Sequence, residues 1–172
     1  MTRRGVEKRV ADLLAAPNPT GRAVHMVAAQ AGFATNPGSQ QALLTQLHQH
    51  AADTGATILR PLLRHALPRY LAGAAVTVAP SLLETFGNLA AQSLSAATPV
   101  VAYRVGHLAE LIGEDAGICV DPAEGPTGLW RAVGELTVDP LRYDATCGAA
   151  YCRSRNYCPT LVAETFVKGC GR

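Results

Sequence analysis

The sequence predicts an α/β fold, a Rossmann-like parallel sheet flanked by helices. Three observations carry this expectation. Short apolar runs, several rich in β-branched residues, alternate with stretches whose apolar positions recur at helical spacing. Loops containing Gly, Pro and Asn separate them. The chain has 172 residues, with 48% hydrophobic and 16% charged side chains, enough for one domain with a real core and too little for two comfortable ones.

The elements follow in order. Residues 10–16 read as a helix, closed by Pro17, Asn18 and Pro19. A strand over 23–29 leads into a loop with Gly and Pro, and a helix over 40–53 places Leu43, Leu44 and Leu47 on one side. Residues 56–59 form a short strand, 67–73 a helical turn, and 76–79 a β-branched strand. A helix over 88–97 precedes strands at 100–103 and 118–120. From Pro126 the tail is mostly helical, interrupted near Asp139-Pro140 and Cys158-Pro159. The first residues look like the loop after a strand, yet no strand precedes them. A doubly wound sheet has its first strand near the centre, where the strand order reverses and ligands bind. The expectation is therefore one domain over 1–172 whose first, central strand is missing.

Composition excludes several classes. The net charge is +2, and the cationic side chains are scattered without a basic stripe or interleaved aromatics, which argues against nucleic-acid binding. The longest mostly apolar stretch, near 70–80, is about half the ~20 residues of a bilayer span. No apolar run follows the N-terminal residues, so the expectation is a cytoplasmic chain without a membrane span. Cys119, Cys147, Cys152, Cys158 and Cys170 show no C-x-x-C spacing and are expected to be reduced, partly buried thiols. With no D-x-D carboxylate pair either, no metal site is expected. His48 and His50 read as a solvated helix end, His25 as a satisfied core histidine, His107 as a loop histidine, and Trp130 as core with Val133 and Leu136.

The informative block is 80–92. A strand ends at Pro80, a loop carries Glu84 and Gly87, and a helix begins near Asn88. That arrangement puts backbone N–H groups and the positive end of a helix dipole at the carboxyl edge of a sheet, a site for phosphate or sugar oxygens. Asn88 and Gln92 lie four apart and share a helix face. Spacing alone equally fits a plain helix start with an acidic residue stabilising it.

The run from Pro80 to Gly117 resembles the donor-site signature of retaining family-4 glycosyltransferases of the two-Rossmann-domain (GT-B) architecture. That signature reads P-S-x-x-E-x-F-G, then a helix ending in a small-residue turn, T-P-V-V-A, V-G-G-x-x-E and G-x-x-V. Here it is carried by Pro80 and Ser81, by Glu84, Thr85, Phe86 and Gly87, and by Thr98, Pro99, Val100, Val101 and Ala102. Val105, Gly106, His107 and Glu110 follow, then Gly117 to Val120 in sequence.

The resemblance implies roles position by position. Glu84 matches the first glutamate of a paired motif, beside the reacting anomeric centre. The amides of Phe86, Gly87, Asn88 and Leu89 match a loop that cradles sugar hydroxyls and the distal phosphate. Gln92 stands where a second glutamate would grip the ribose, and an amide cannot offer that pair of hydroxyls two charged acceptors. Arg3 and Lys8 resemble the arginine and lysine of G-R-L-x-x-E-K-G, which neutralise the departing diphosphate. Their other reading is a solvated charge cluster at a terminus. Arg64 falls where an arginine packs on the nucleobase.

The implied reaction transfers a sugar from a nucleoside-diphosphate sugar to an acceptor hydroxyl with retention. Uridine is the family's commonest base, and the donor is a substrate, so no cofactor is expected. The acceptor domain, N-terminal in this architecture, has no counterpart in the sequence, so the chain alone is expected to be inactive without it or a partner supplying it. A non-catalytic nucleotide-sugar-binding or scaffold fragment, and a non-hydrolysing epimerase relative, are the alternatives.

Overall fold

A computed structural model describes residues 9–27, 37–63 and 65–170. Helix α1 (Val10–Ala15) precedes strand β1 (His25–Val27), helix α2 (Pro37–Thr54), strand β2 (Thr57–Leu59) and helix α3 (Leu67–Ala72). Strand β3 (Thr77–Ala79), helix α4 (Asn88–Ser95), strand β4 (Val100–Tyr103), helix α5 (Leu108–Ile112) and strand β5 (Gly117–Val120) follow. Helices α6 (Gly125–Thr137), α7 (Pro140–Ser154) and α8 (Pro159–Cys170) complete the chain, with a 3-10 turn, Arg155–Tyr157, before the last. All strand pairs are parallel and all crossovers contain helices, as the alternating sequence pattern requires.

The strands form two sheets, β1-β2 and β3-β4-β5. Among the described residues no strand precedes α1, and no ladder joins β1 to β3. The two ladders are therefore separate among the described residues. β4 is buried along its whole length, with Val100, Val101 and Ala102 at 0% exposure, because helices cover both of its faces. Leu94, Leu108, Leu111 and Ile112 from α4 and α5 pack on one side, and Leu129, Val133 and Leu136 from α6 on the other.

A buried polar knot ties the second sheet to α3 and α4. Ser93 Oγ lies 2.7 Å from Thr77 Oγ1 and 3.0 Å from the Thr98 carbonyl. One hydroxyl has one proton, so Ser93 donates to the carbonyl and accepts from Thr77. Thr98 Oγ1 in turn donates to the Leu71 carbonyl at 2.7 Å. Trp130 is buried as expected, and its Nε1–H donates to the Leu13 carbonyl at 3.2 Å, fastening α6 to α1.

Three expectations need correction. His25 is not in the core. It is exposed on β1, its Nδ1 2.5 Å from the Tyr70 hydroxyl, because β1 is covered only in part. Helix α5 was not anticipated: five residues give too little periodicity to read. Of the thiols, Cys119 and Cys147 are half-buried, but Cys152 and Cys158 are exposed. Burial raises the Cys119 thiol, whereas backbone N–H groups of Thr160 and Leu161 at the start of α8 lower that of Cys158. No helix among the described residues is long and apolar enough to cross a membrane.

Candidate nucleotide-sugar site

The carboxyl ends of β3, β4 and β5 share one edge, and the loops leaving them bring the motif residues together. β3 ends at Ala79, and the loop carrying Glu84 runs to Gly87, the N-cap of α4. Gly87 adopts φ 91°, a left-handed conformation that glycine takes without strain, and an added Cβ would lie 2.5 Å from Leu108 Cδ2. With no side chain at the N-cap and no acidic residue in the first turn, α4 starts with its backbone N–H groups at the sheet edge.

The loop leaving β4 lies directly against this one. An added Cβ at Gly106, which has φ 52°, would stand 1.8 Å from the Glu84 carbonyl oxygen. Only glycine permits that approach, so Gly106 fixes where Glu84 sits. Ser81 beside it is buried at 3% exposure, whereas Leu82, Leu83 and Phe86 are exposed and leave the edge open.

Gln92, one turn into α4, carries the most informative atom of the site. Its Oε1 is buried and has no hydrogen-bond partner among the described residues. A buried acceptor left unpaired costs about 1–3 kcal/mol, so such groups are places where strain is stored or where a water or a ligand donates.

The helix has a second unusual feature at its far end. Ala97 adopts φ 57°, while its N–H and that of Thr98 donate to the carbonyls of Leu94 and Ser93, both at 3.0 Å. This is a Schellman C-cap with alanine in the position glycine prefers.

The expected site residues therefore separate into two groups. Glu84, Phe86, Gly87, Asn88, Leu89 and Gln92 lie together on one loop and the first turns of α4. Arg3, Lys8 and Arg64 lie outside the described residues. Sequence reasoning treated His107 as a loop residue and passed over Tyr157. In the structure His107 stacks on Phe86 with ring centroids 5.6 Å apart, and Tyr157 meets both rings edge-on. The one signal available was that His107 replaces the second glycine of the V-G-G pattern. Among the described residues no group of three or more His, Cys, Asp or Glu side chains is arranged to hold a metal ion.

Comparison with known proteins agrees with this geometry. A family model described as Glycosyl transferases group 1 matches residues 6–139. A GDP-mannose-dependent alpha-(1-6)-phosphatidylinositol dimannoside mannosyltransferase of Mycobacterium tuberculosis is 39% identical over 84 residues, covering 49% of this chain and 22% of that protein. A D-inositol 3-phosphate glycosyltransferase of Thermomonospora curvata is 31% identical over 152 residues, covering 86% of this chain and 34% of that protein. The chain thus spans roughly a fifth to a third of these curated relatives.

Among solved structures, Anabaena Alr3699/HepE in complex with UDP and glucose aligns with TM-score 0.79 at 18% identity, covering 98% of this chain and 47% of that one. Sucrose-phosphate synthase of Thermosynechococcus elongatus aligns with TM-score 0.76 at 22% identity, covering 88% and 38%. The parallel α/β architecture is that of these GT-B glycosyltransferase structures. With the family model matching residues 6–139 of the 172 and the donor-loop residues assembled at one sheet edge, the chain belongs to the Glycosyl transferases group 1 family.

Proposed function

We propose that residues 1–172 form the nucleotide-sugar-binding domain of a retaining glycosyltransferase, with a UDP-sugar as the preferred donor. The observation that carries the reading is the buried Oε1 of Gln92, which no described residue partners, one turn behind the amides of residues 86–89. A ribose hydroxyl donating to that oxygen would relieve its desolvation cost. The diphosphate and the sugar would then lie along the start of α4, where N–H groups and the helix dipole favour anionic and hydroxyl oxygens. UDP in the Alr3699/HepE structure supports a nucleoside diphosphate, and GDP-mannose in the mycobacterial relative's name makes GDP the base to test against it.

In the proposed reaction the acceptor hydroxyl attacks the anomeric carbon on the face from which the diphosphate departs. The bond from that carbon to the phosphate oxygen breaks as the new glycosidic bond forms. The hydroxyl proton passes to the leaving phosphate, and the configuration is retained. Glu84 holds the hydroxyls of the transferred sugar beside the reacting carbon. Arg3 and Lys8 offset the negative charge that accumulates on the leaving group, so the donor is the only small molecule the step calls for besides the acceptor. The acceptor site belongs to a second domain or a partner, since the curated relatives are about three to five times the length of the stretch matched here.

Radiolabelled donor incubated with a broad acceptor panel tests the assignment. The 172-residue chain alone is expected to give no transfer, and steady product formation by it would overturn the division of labour. In a chain joined to an acceptor domain, replacing Arg3 and Lys8 with Ala should weaken donor use by roughly 1.5–3 kcal/mol for each charge-assisted bond lost. Glu84→Gln there should lower turnover more than donor binding, because its contacts lie nearest the reacting centre.

A further inference from the structure

The loop that carries Glu84 is held from two sides. The first hold is backbone on backbone, where Gly106 meets the Glu84 carbonyl. The second is a cluster of three rings drawn from distant parts of the chain. Phe86 and His107 stack with an interplanar angle of 17°, and Tyr157, from the 3-10 turn between α7 and α8, stands edge-on at 74° to Phe86 and 86° to His107.

Both nitrogens of the His107 ring are engaged. Nδ1 lies 3.0 Å from Glu110 Oε2, and Nε2 lies 3.3 Å from the Tyr157 hydroxyl. Glu110 accepts from Nδ1–H, and Nε2 shares a hydrogen bond with the Tyr157 hydroxyl. Stacking sets the plane of the ring, and the two hydrogen bonds set its rotation within that plane. A histidine fixed in this way is a rigid support for the face of Phe86. Phe86 precedes Gly87, the N-cap whose neighbouring amides begin α4.

We propose that His107, steered by Glu110 and Tyr157, is a positioning residue that preorganises the backbone amides of residues 86–89 for an anionic ligand. The ligand assignment rests on the nucleotide-sugar reading above, whereas the hold on the loop does not. Preorganised N–H groups bind without the cost of ordering them at the moment of binding, so loosening the support lowers affinity with no contact to the ligand removed. The turn between α7 and α8 thereby acts on the donor loop through the Tyr157 ring and its hydroxyl.

Tyr157→Phe tests this most cleanly, since it keeps the ring and removes only the O–H. Hydrogen exchange of the wild-type chain and the variant, read amide by amide, should show Ala91, whose N–H donates to the Gly87 carbonyl at 2.9 Å, exchanging about fivefold faster, the effect of one hydrogen bond. Exchange in β4 should stay unchanged. UDP affinity by calorimetry should fall by a similar factor. His107→Gly, which removes the support altogether, should exceed Tyr157→Phe in both readouts. Faster exchange at Ala91 with no UDP binding to either protein would sustain the positioning role and overturn the nucleotide reading instead. Unchanged exchange at Ala91 in Tyr157→Phe, or acceleration spread equally over β4, would overturn the positioning role.

Discussion

The two sheets of this chain are built to different standards. β1 and β2 each expose their first residue and only half-bury the other two, whereas β4 is buried throughout and β3 and β5 are buried at both ends. The core beneath the first pair contains three buried apolar residues, Ala11, Leu14 and Leu47, while two larger clusters sandwich the second sheet. Every described site residue rises from the carboxyl edge of the second sheet. A site that must hold amides in fixed directions needs a scaffold whose own strands cannot shift, and only the three-stranded half supplies one.

Core truncation should separate the halves most strongly. Leu94→Ala, at a fully buried position on α4, is expected to cost about 2–5 kcal/mol in denaturant unfolding. Ile58→Ala, half-buried on β2, should cost about 1 kcal/mol. Equal losses would mean that the two sheets share one cooperative core. Gly106→Ala comes next, since its Cβ would collide with the Glu84 carbonyl. It should cost roughly 1–3 kcal/mol and displace the Glu84 loop, visible as shifted amide resonances at 84–87 with β1 and β2 unmoved.

Gln92→Glu has a smaller effect. A charged acceptor facing ribose hydroxyls gains on the order of 1 kcal/mol over the amide, about fivefold in UDP affinity by calorimetry. Equal or weaker binding would mean that Gln92 does not face a ribose. The smallest change is Ala97→Gly, which relieves a left-handed alanine at the end of α4. It should raise stability by about 0.5 kcal/mol, the left-handed cost of alanine less the added chain entropy of glycine.

The same contrast governs how much could be read from the sequence. β4 was legible to the residue because an unbroken apolar run after Pro99 has no other home than a strand covered on both faces. The start of α4 followed from Gly87. The break between α6 and α7 followed from Asp139 and Pro140, and Asp139 indeed accepts from the N–H groups of Leu141 and Arg142 at 2.9 and 3.3 Å. β1 was read too long at its start, residues 28 and 29 lie outside the description, and the exposure of His25 was missed. A partly covered strand lacks the strong burial pattern that fixes such boundaries.

Within the site, the loop and helix residues were legible because their geometry is local. The contact of Gly106 with Glu84 joins residues about twenty apart, and Tyr157 reaches His107 across 50 positions of sequence. No spacing rule spans such separations. Nor could any local pattern show that Gln92 Oε1 would be left without a partner among the described residues.

The proposed nucleoside-diphosphate site is the carboxyl edge of β3-β4-β5. Titrating UDP into the isotope-labelled chain, while following backbone amides and the Gln92 side-chain amide, tests it most directly. The account predicts saturable shifts at residues 84–89 and at the Gln92 side chain, with the resonances of β1 and β2 unperturbed. Saturable shifts confined to β1 and β2, or none at residues 84–89 at any UDP concentration, would contradict it.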